Sequence, residues 1–343
     1  MLFSRVAIAS LAAELPDEIW PSELLEAKLE PLYTRLRLPT GRLELITGIR
    51  ERRFWSRPIR PSEASALAGA KALAQAGIPA AKIELLIHAG VCRDRLEPST
   101  AAYIHGLLGI APGAQILDVS NACLGFLNAL VLAAGLIESG QIENALVCAG
   151  ENGRPLVERT IATLNNGTHD RNAIKPYFAN LTIGAGAAAA VICRDTLAPA
   201  GAPRLLGGTA MTNSAANTLC EGDTDEGALI MQTDSEKLLD AGIALAEQNW
   251  ARFCASLQWS ASTPARVLTH QVGKRHSQLL FQQLGLNPDK DWRTFDRLGN
   301  VGSVSLPATL ALAHQAGAVA AGDKVALLGI GSGLSSLMLG LQY

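Results

Sequence analysis

Short apolar runs alternate along this chain with Ala- and Leu-rich stretches of helical periodicity, the pattern of an α/β protein whose helices pack on its sheets. In the first half the pattern predicts a helix over Ser62–Ala76, opened by the polar pair Ser62 and Glu63, and a strand over Lys82–Ala89. A strand over Gln115–Val119, a helix over Leu124–Ser139 and a strand over Asn144–Cys148 follow. The second half repeats this succession. Leu85-Leu-Ile-His88 matches Val267-Leu-Thr-His270 at an offset of 182, and Ala145-Leu-Val-Cys148 matches Val325-Ala-Leu-Leu328 at 180. Strand, loop and helix over Leu117–Ala134 match Thr294–Ala313 at about 178. Three matches in chain order at nearly one offset predict two similar halves, 1–197 and 205–343, joined through the Pro/Gly/Ala-rich stretch Leu197–Pro203. Two such halves can set equivalent loops face to face at their boundary, where one site is built from both. The polar, aperiodic stretch Asn165–Ile174 reads as a surface loop or lid.

Composition narrows the picture. With 343 residues, 48% apolar and 17% charged, the chain can bury a large core. A net charge of −2 supplies no general attraction for nucleic acid or an anionic membrane, so an anionic ligand must be met locally. The apolar start is broken by Arg5, Glu14 and Asp17, which argues against a signal peptide. The run Ala129–Ile137 is about half the length of a membrane-spanning helix, so no membrane span is expected. Six cysteines lie far apart without C-x-x-C spacing, which signals neither zinc nor disulfides and fits a reducing cytoplasm. No H-E-x-x-H is present, and no metal is expected.

Cys123 follows a predicted strand and opens a predicted helix, with Asn121 at a cap position and Gly125 close by. A helix start offers unpaired N–H groups and a positive dipole end, which predict a thiolate with a lowered pKa. A small buried cysteine is the alternative reading. His270 ends a second-half strand, where Gln271, Lys274 and Arg275 suggest exposure; such a residue is either a site histidine or a satisfied structural one. Asn300 stands in the glycine-flanked turn Leu298-Gly-Asn-Val-Gly302, which the repeat makes the counterpart of the Cys123 loop. Gly329-Ile-Gly-Ser-Gly-Leu334 has too little chain after it for a dinucleotide site; its glycines let backbone N–H groups approach a ligand, as an oxyanion hole requires. Glu97, in Cys92-Arg-Asp-Arg-Leu-Glu-Pro-Ser-Thr100, reads from composition alone as a solvated loop residue.

Taken together, Asn121-Ala-Cys-Leu-Gly-Phe126, His270-Gln271, Gly299-Asn-Val-Gly-Ser303 with Pro307, Gly329–Leu334 and Thr47-Gly-Ile-Arg-Glu-Arg52 resemble the 3-oxoacyl-[acyl carrier protein] synthase III branch of the thiolase superfamily. The resemblance implies the five-layered αβαβα thiolase fold, built from two pseudo-equivalent halves, and a homodimer. It implies Cys123 as the acyl-accepting nucleophile, and His270 and Asn300 as donors to the carbonyl oxygen of a second thioester. The N–H groups of Cys123 and Ser332 would form the other oxyanion hole. Arg93–Ala101, Asn121–Leu124, His270-Gln-Val272 and Leu327–Leu334 more narrowly resemble the acyl-CoA condensing enzymes of bacterial head-to-head olefin biosynthesis. That resemblance implies two fatty acyl-CoA substrates without a further cofactor, and Glu97 as a base that reaches the neighbouring subunit's site. A β-keto acid product implies a reductase downstream.

The carboxylate has a chemical reason. A malonyl donor makes its enolate by losing carbon dioxide, whereas a plain acyl-CoA must lose an α-proton to a base within reach. Ile46 and Gly273 depart from the carrier-protein-dependent pattern, so contacts to coenzyme A are not carried over. Arg50, Arg52, Arg53 and Arg57 offer phosphate contacts or, equally, an exposed charged face. Two rival readings stand beside the first: a decarboxylative synthase using a malonyl thioester, and a noncatalytic acyl-binding member of the fold.

Overall fold

The structure, a computed structural model, describes residues 1–225 and 228–343. The first half runs β1 (Val6–Glu14), β2 (Glu18–Pro21), α1 (Ser22–Lys28), α2 (Glu30–Leu36), α3 (Arg42–Thr47), β3 (Glu51–Phe54), α4 (Pro61–Ala76), β4 (Leu85–His88), α5 (Thr100–Leu108), β5 (Gln115–Asp118), α6 (Gly125–Glu138), β6 (Asn144–Asn152), α7 (Arg154–Asn166) and β7 (Ala185–Arg194). The second runs β8 (Arg204–Thr212), β9 (Cys220–Asp225), β10 (Ala228–Thr233), α8 (Ser235–Leu257), β11 (Arg266–Thr269), α9 (Lys274–Gln283), α10 (Phe295–Leu298), α11 (Ser305–Gln315), β12 (Lys324–Gly331) and β13 (Ser335–Gln342).

Nine strands pair in the order β11-β12-β13-β8-β1-β7-β6-β4-β5. A single pairing, Ala7 with Arg204, joins β1 to β8, so the sheet has two arms of the same design. In the first, β1, β7 and β6 are antiparallel neighbours and β6, β4 and β5 are parallel. In the second, β8, β13 and β12 are antiparallel and β11 is parallel to β12. The strand expected near Thr294 is reduced to one bridge, Val267 with Asp291. Register also corrects the repeat by one residue. Leu85 pairs with Ala145 and Arg266 with Val325, so Arg266 is the counterpart of Leu85, and His270 corresponds to Ala89 rather than His88. A one-residue shift reverses which face a side chain takes, and the packing agrees: Leu85 and Leu268 face the central layer, Leu86 and Val267 the outer ones.

Alternation along the strands builds the layers. Ala145 and Val147 of β6 and Val325 and Leu327 of β12 pack with α6 and α11 in one central core. Leu146 and Cys148 point the other way, onto α4, α5 and α7, while Ala326 and Leu328 meet α8 and α9. Helix, sheet, helix, sheet, helix is the thiolase arrangement. Strands buried on both faces explain the unbroken apolar runs, such as Ala185–Cys193. The apolar start of the chain is β1, at the middle of the sheet.

Local chemistry sets the element ends. Pro61 occupies the first turn of α4, Glu63 accepts the Arg60 N–H at 2.8 Å, and Gly77 closes the helix in the left-handed region. Residues 80–82 wind into a short 3-10 turn, so the strand expected from Lys82 begins at Leu85. Strand β6 runs four residues beyond the expected Cys148, carrying Glu151 into the core. No helix among the described residues is long and apolar enough to cross a membrane.

Candidate active site

Cys123 lies between β5 and α6, two residues before the helix begins. The N–H groups of Leu124 and Gly125 turn back onto the carbonyls of Asn121 and Ala122, and Ala122 takes a φ of 45°. That left-handed conformation is strained for a residue with a Cβ, and it marks a tight elbow at the cysteine. Asn121 does not cap the helix; its amide donates to Asn128 at 2.9 Å. The sequence-based expectation of a lowered thiol pKa is overturned. Burial, then the charge of Glu151, then Cys220 push the Cys123 thiol up to about 12, and only its own backbone N–H acts the other way. Desolvation of a charged sulfur outweighs the favourable helix end.

The C-terminal glycines bring β12 against this elbow. A Cβ at Gly331 would stand 3.5 Å from the Cys123 nitrogen, and one at Gly329 would stand 2.5 Å from Leu124 Cδ2 and 3.0 Å from the Leu337 carbonyl oxygen. Glycine is therefore a condition of close approach, and Ser332 follows directly in the turn to β13. Gly329→Ala is expected to destabilise the fold by about 1–3 kcal/mol, the usual cost of overpacking, measured by urea unfolding.

His270 continues the parallel ladder one residue past β11, its N–H donating to the Leu328 carbonyl at 3.0 Å. It is 4% exposed, which corrects the expectation of an exposed strand end. Its Nδ1 is sealed from water and has no hydrogen-bond partner among the described residues. Burial, and next His276, pull its pKa down to about 3, so the ring is neutral at any working pH. Gln271 fixes this loop: its amide donates to the Thr269 carbonyl at 2.7 Å, and its Oε1 accepts the N–H groups of Thr294 and Phe295 at 2.8 and 3.1 Å. The turn that follows α10 carries Asn300. Gly299 enters it at φ 67°, where a Cβ would lie 2.4 Å from the Thr182 carbonyl oxygen. Asn300 donates its backbone N–H to Thr182 and accepts from Gly184, both at 2.9 Å. Its side-chain Oδ1 accepts from the Gly302 N–H at 3.0 Å and the Ser305 hydroxyl at 3.4 Å. With the oxygen occupied, the amide NH₂ is the group left to donate. The turn Gly302–Val304, just after Asn300, packs on α6, the helix that follows the Cys123 elbow.

The depressed His270 pKa has a stability consequence. An unfolded histidine titrates near 6.5, so between that pH and about 3 the unfolded chain binds a proton that the folded chain refuses, and stability falls as pH falls. His270 alone should remove about 2 kcal/mol of unfolding free energy between pH 7 and pH 5. His276, whose pKa burial lowers to about 4, acts in the same direction. Urea unfolding at the two pH values checks this, and His270→Asn should flatten the slope.

Glu97 stands exposed on the loop between β4 and α5, beside Leu96, which is 94% exposed. No described contact within the chain joins it to Cys123, His270 or Asn300. The loop is anchored at both sides of it: before it the Val91 and Cys92 N–H groups donate to Glu151 and Asp94 accepts from the Ser62 N–H and hydroxyl, and after it the Thr100 and Ala101 N–H groups donate to Asp118.

Models of the 3-oxoacyl-[acyl-carrier-protein] synthase III family match residues 117–204, and models of its C-terminal part match residues 254–342. An acyl-CoA:acyl-CoA alkyltransferase of Shewanella oneidensis is 38% identical over the whole of both chains. The chain belongs to the acyl-CoA:acyl-CoA alkyltransferase family. A second such protein, from Xanthomonas campestris, is 38% identical over 98% of each chain. The crystal structure of a Xanthomonas campestris OleA variant superposes with a TM-score of 0.96 at 36% identity, covering 100% of this chain and 98% of that one. A beta-ketoacyl-[acyl-carrier-protein] synthase III of Clostridioides difficile is more distant, 27% identical over 97% of this chain.

Within this alkyltransferase fold one expectation fails and two residues emerge. Arg52 is fully buried and offers nothing to a phosphate. Its guanidinium donates to the carbonyls of Trp20 and Leu181 and to the Ser22 hydroxyl, holding β2 and the 175–182 segment together. Burial pulls its pKa down to about 10. Arg50 and Arg57 remain exposed, and Arg53 donates to the Pro16 carbonyl. Glu151 and Ser303 were not singled out from sequence. A charged residue interrupting an apolar strand, Ala145–Gly150 before Glu151, was the available signal. Among the described residues no group of three His, Cys, Asp or Glu side chains is placed to hold a metal ion.

Proposed function

We propose that this protein condenses two fatty acyl-CoA molecules by a non-decarboxylative Claisen reaction. The observation that carries this reading is the position of Glu97. Solved variants of Xanthomonas campestris OleA change a cysteine to alanine and a glutamate to Gln, Asp or Ala, and those two residues stand as far apart in that sequence as Cys123 and Glu97 do here. Other solved variants change a histidine, and one structure holds cerulenin.

The half 1–197 supplies the nucleophile and the half 205–343 its histidine and asparagine. Cys123 sulfur attacks the first thioester carbonyl, the oxyanion takes hydrogen bonds from the Cys123 and Ser332 N–H groups, and coenzyme A leaves carrying the thiol proton. A raised thiol pKa means that the proton moves as the bond forms. Glu97 then takes the C2 proton of the second acyl-CoA. The electron pair moves onto its carbonyl oxygen, held by the Asn300 amide and neutral His270. C2 attacks the acyl carbon, Cys123 sulfur leaves and regains a proton, and a 2-alkyl-3-oxoacyl thioester forms, which water hydrolyses to the β-keto acid.

Glu97 is exposed in its own chain, so the reading places it in the site of a second copy. An exposed edge strand, β5, with Ile116 38% exposed, and the protruding Leu96 give such a copy a face to cover. A homodimer acting in the cytoplasm without further cofactor, and handing its product to a reductase, completes the proposal. Incubation with myristoyl-CoA alone, followed by mass spectrometry, tests it: free CoA and a doubled-chain β-keto acid are expected. Product only on addition of a malonyl thioester would favour the decarboxylative reading, and no labelled acyl-cysteine under any donor would favour acyl binding alone.

A further inference from the structure

Glu151 is 4% exposed, and no ion pair to it occurs among the described residues. Its carboxylate is instead spread over two loops that are distant in sequence. Oε1 accepts the Val91 N–H at 2.8 Å and Oε2 the Cys92 N–H at 2.9 Å, both at the root of the loop that carries Glu97. Oε1 also lies 2.7 Å from the Ser303 hydroxyl and 3.3 Å from the Ser303 N–H, three residues after Asn300. A Cβ at Gly302 would stand 3.0 Å from the same oxygen, so the Asn300 turn is pressed onto the carboxylate. Ser303 hydroxyl adds a contact to the Ala89 carbonyl at 2.8 Å, closing the link between the end of β4 and the turn before α11.

A buried carboxylate without a cation is expensive to keep, and accepting three short contacts and a longer fourth from two loops is a reason to keep it. A neutral amide could not replace it, because its NH₂ would face a backbone N–H donor to donor. The two loops so joined carry two of the three groups that act on the second substrate: Asn300, an enolate donor in its own site, and Glu97, the base for the site of the second copy. Cys123, which acts on the first, is on neither.

We propose that Glu151 is a positioning residue for both loops, fixing the Asn300 turn of its own site and the Glu97 loop that reaches the site of the second copy, so that enolate formation needs it and acylation of Cys123 does not. The inference rests on Glu97 being the base. Two half-reactions read it out: acylation, as the first-turnover release of CoA, and enolate formation, as deuterium uptake at C2 of myristoyl-CoA in deuterated buffer. Glu151→Gln is expected to lower deuterium uptake by about 30-fold or more while acylation does not fall by more than about threefold, since loss of the charge that raises the Cys123 thiol eases that step. Glu151→Asp should recover part of the exchange. Ser303→Ala, which removes one contact to the carboxylate and the contact to the Ala89 carbonyl and leaves the carboxylate buried, should lower exchange by a smaller factor and serves if Glu151→Gln does not fold. Equal loss of both half-reactions, or exchange unchanged in Glu151→Gln and Ser303→Ala, overturns the inference as a mere fold role or no role. Glu97→Gln is measured alongside. Exchange that survives Glu97→Gln removes the base reading and this inference with it, whereas exchange lost there but kept in Glu151→Gln sinks the inference alone.

Discussion

Cys123→Ala is expected to abolish the acyl-enzyme and to lower condensation of myristoyl-CoA by roughly 10⁴-fold or more, the scale on which loss of a covalent nucleophile acts. The variant should fold, because alanine is smaller and the elbow is shaped by Ala122 at φ 45° and by backbone bonds rather than by the thiol. Removing the sulfur also removes a group that burial holds as a thiol, with a pKa of about 12, so no buried charge is left uncompensated. The check is intact-mass spectrometry after incubation with acyl-CoA, alongside CoA release. Wild type should gain one acyl group and the variant none. Equal thioester turnover in both proteins would end the enzyme reading, whichever donor is used.

Glu97→Gln should separate the two half-reactions. The amide keeps the size of the side chain and loses its capacity to accept the C2 proton, so condensation should fall by about 10²–10⁴-fold, the usual contribution of a general base. Acyl-Cys123 should still accumulate, since no described contact within the chain joins Glu97 to the nucleophile. A malonyl thioester makes its enolate by losing carbon dioxide and needs no base. A Glu97→Gln protein offered one would therefore retain whatever condensation the wild type shows with that donor. Fall of both half-reactions together would point to a fold or dimer defect in place of lost proton abstraction.

Much of this was legible in the chain. The repeat at offsets near 180 predicted two similar halves because each strand and helix writes its own period locally, whatever packs against it later. Cys123 after a strand, His270 after its second-half strand and Asn300 between glycines were readable for the same reason. Each motif spans a few residues and needs a particular backbone: Gly299 must take a φ of 67°, and Gly329 and Gly331 must let β12 approach Leu124 and Cys123. The one-residue error in matching His88 to His270 shows the limit of such matching. Leu, Val and Ala fit either face of a strand in sequence, and only register decides which face they take.

What tertiary structure alone decided concerns charge. Arg52 belongs to a basic cluster in sequence, yet its place on β3 sets it between β2 and the 175–182 segment, whose backbone carbonyls take its donors. Glu151 is one more acidic residue until β6 carries it between the Val91 and Ser303 loops, which are more than two hundred positions apart. The sign of the Cys123 shift changed likewise, because desolvation is set by distant segments closing around the sulfur while a helix dipole belongs to its own few residues. Motif, order and fold class are local or periodic properties and are written in the sequence. Burial of an ionisable group is a property of the whole packed chain, and for that reason the electrostatics of the site came only with the structure.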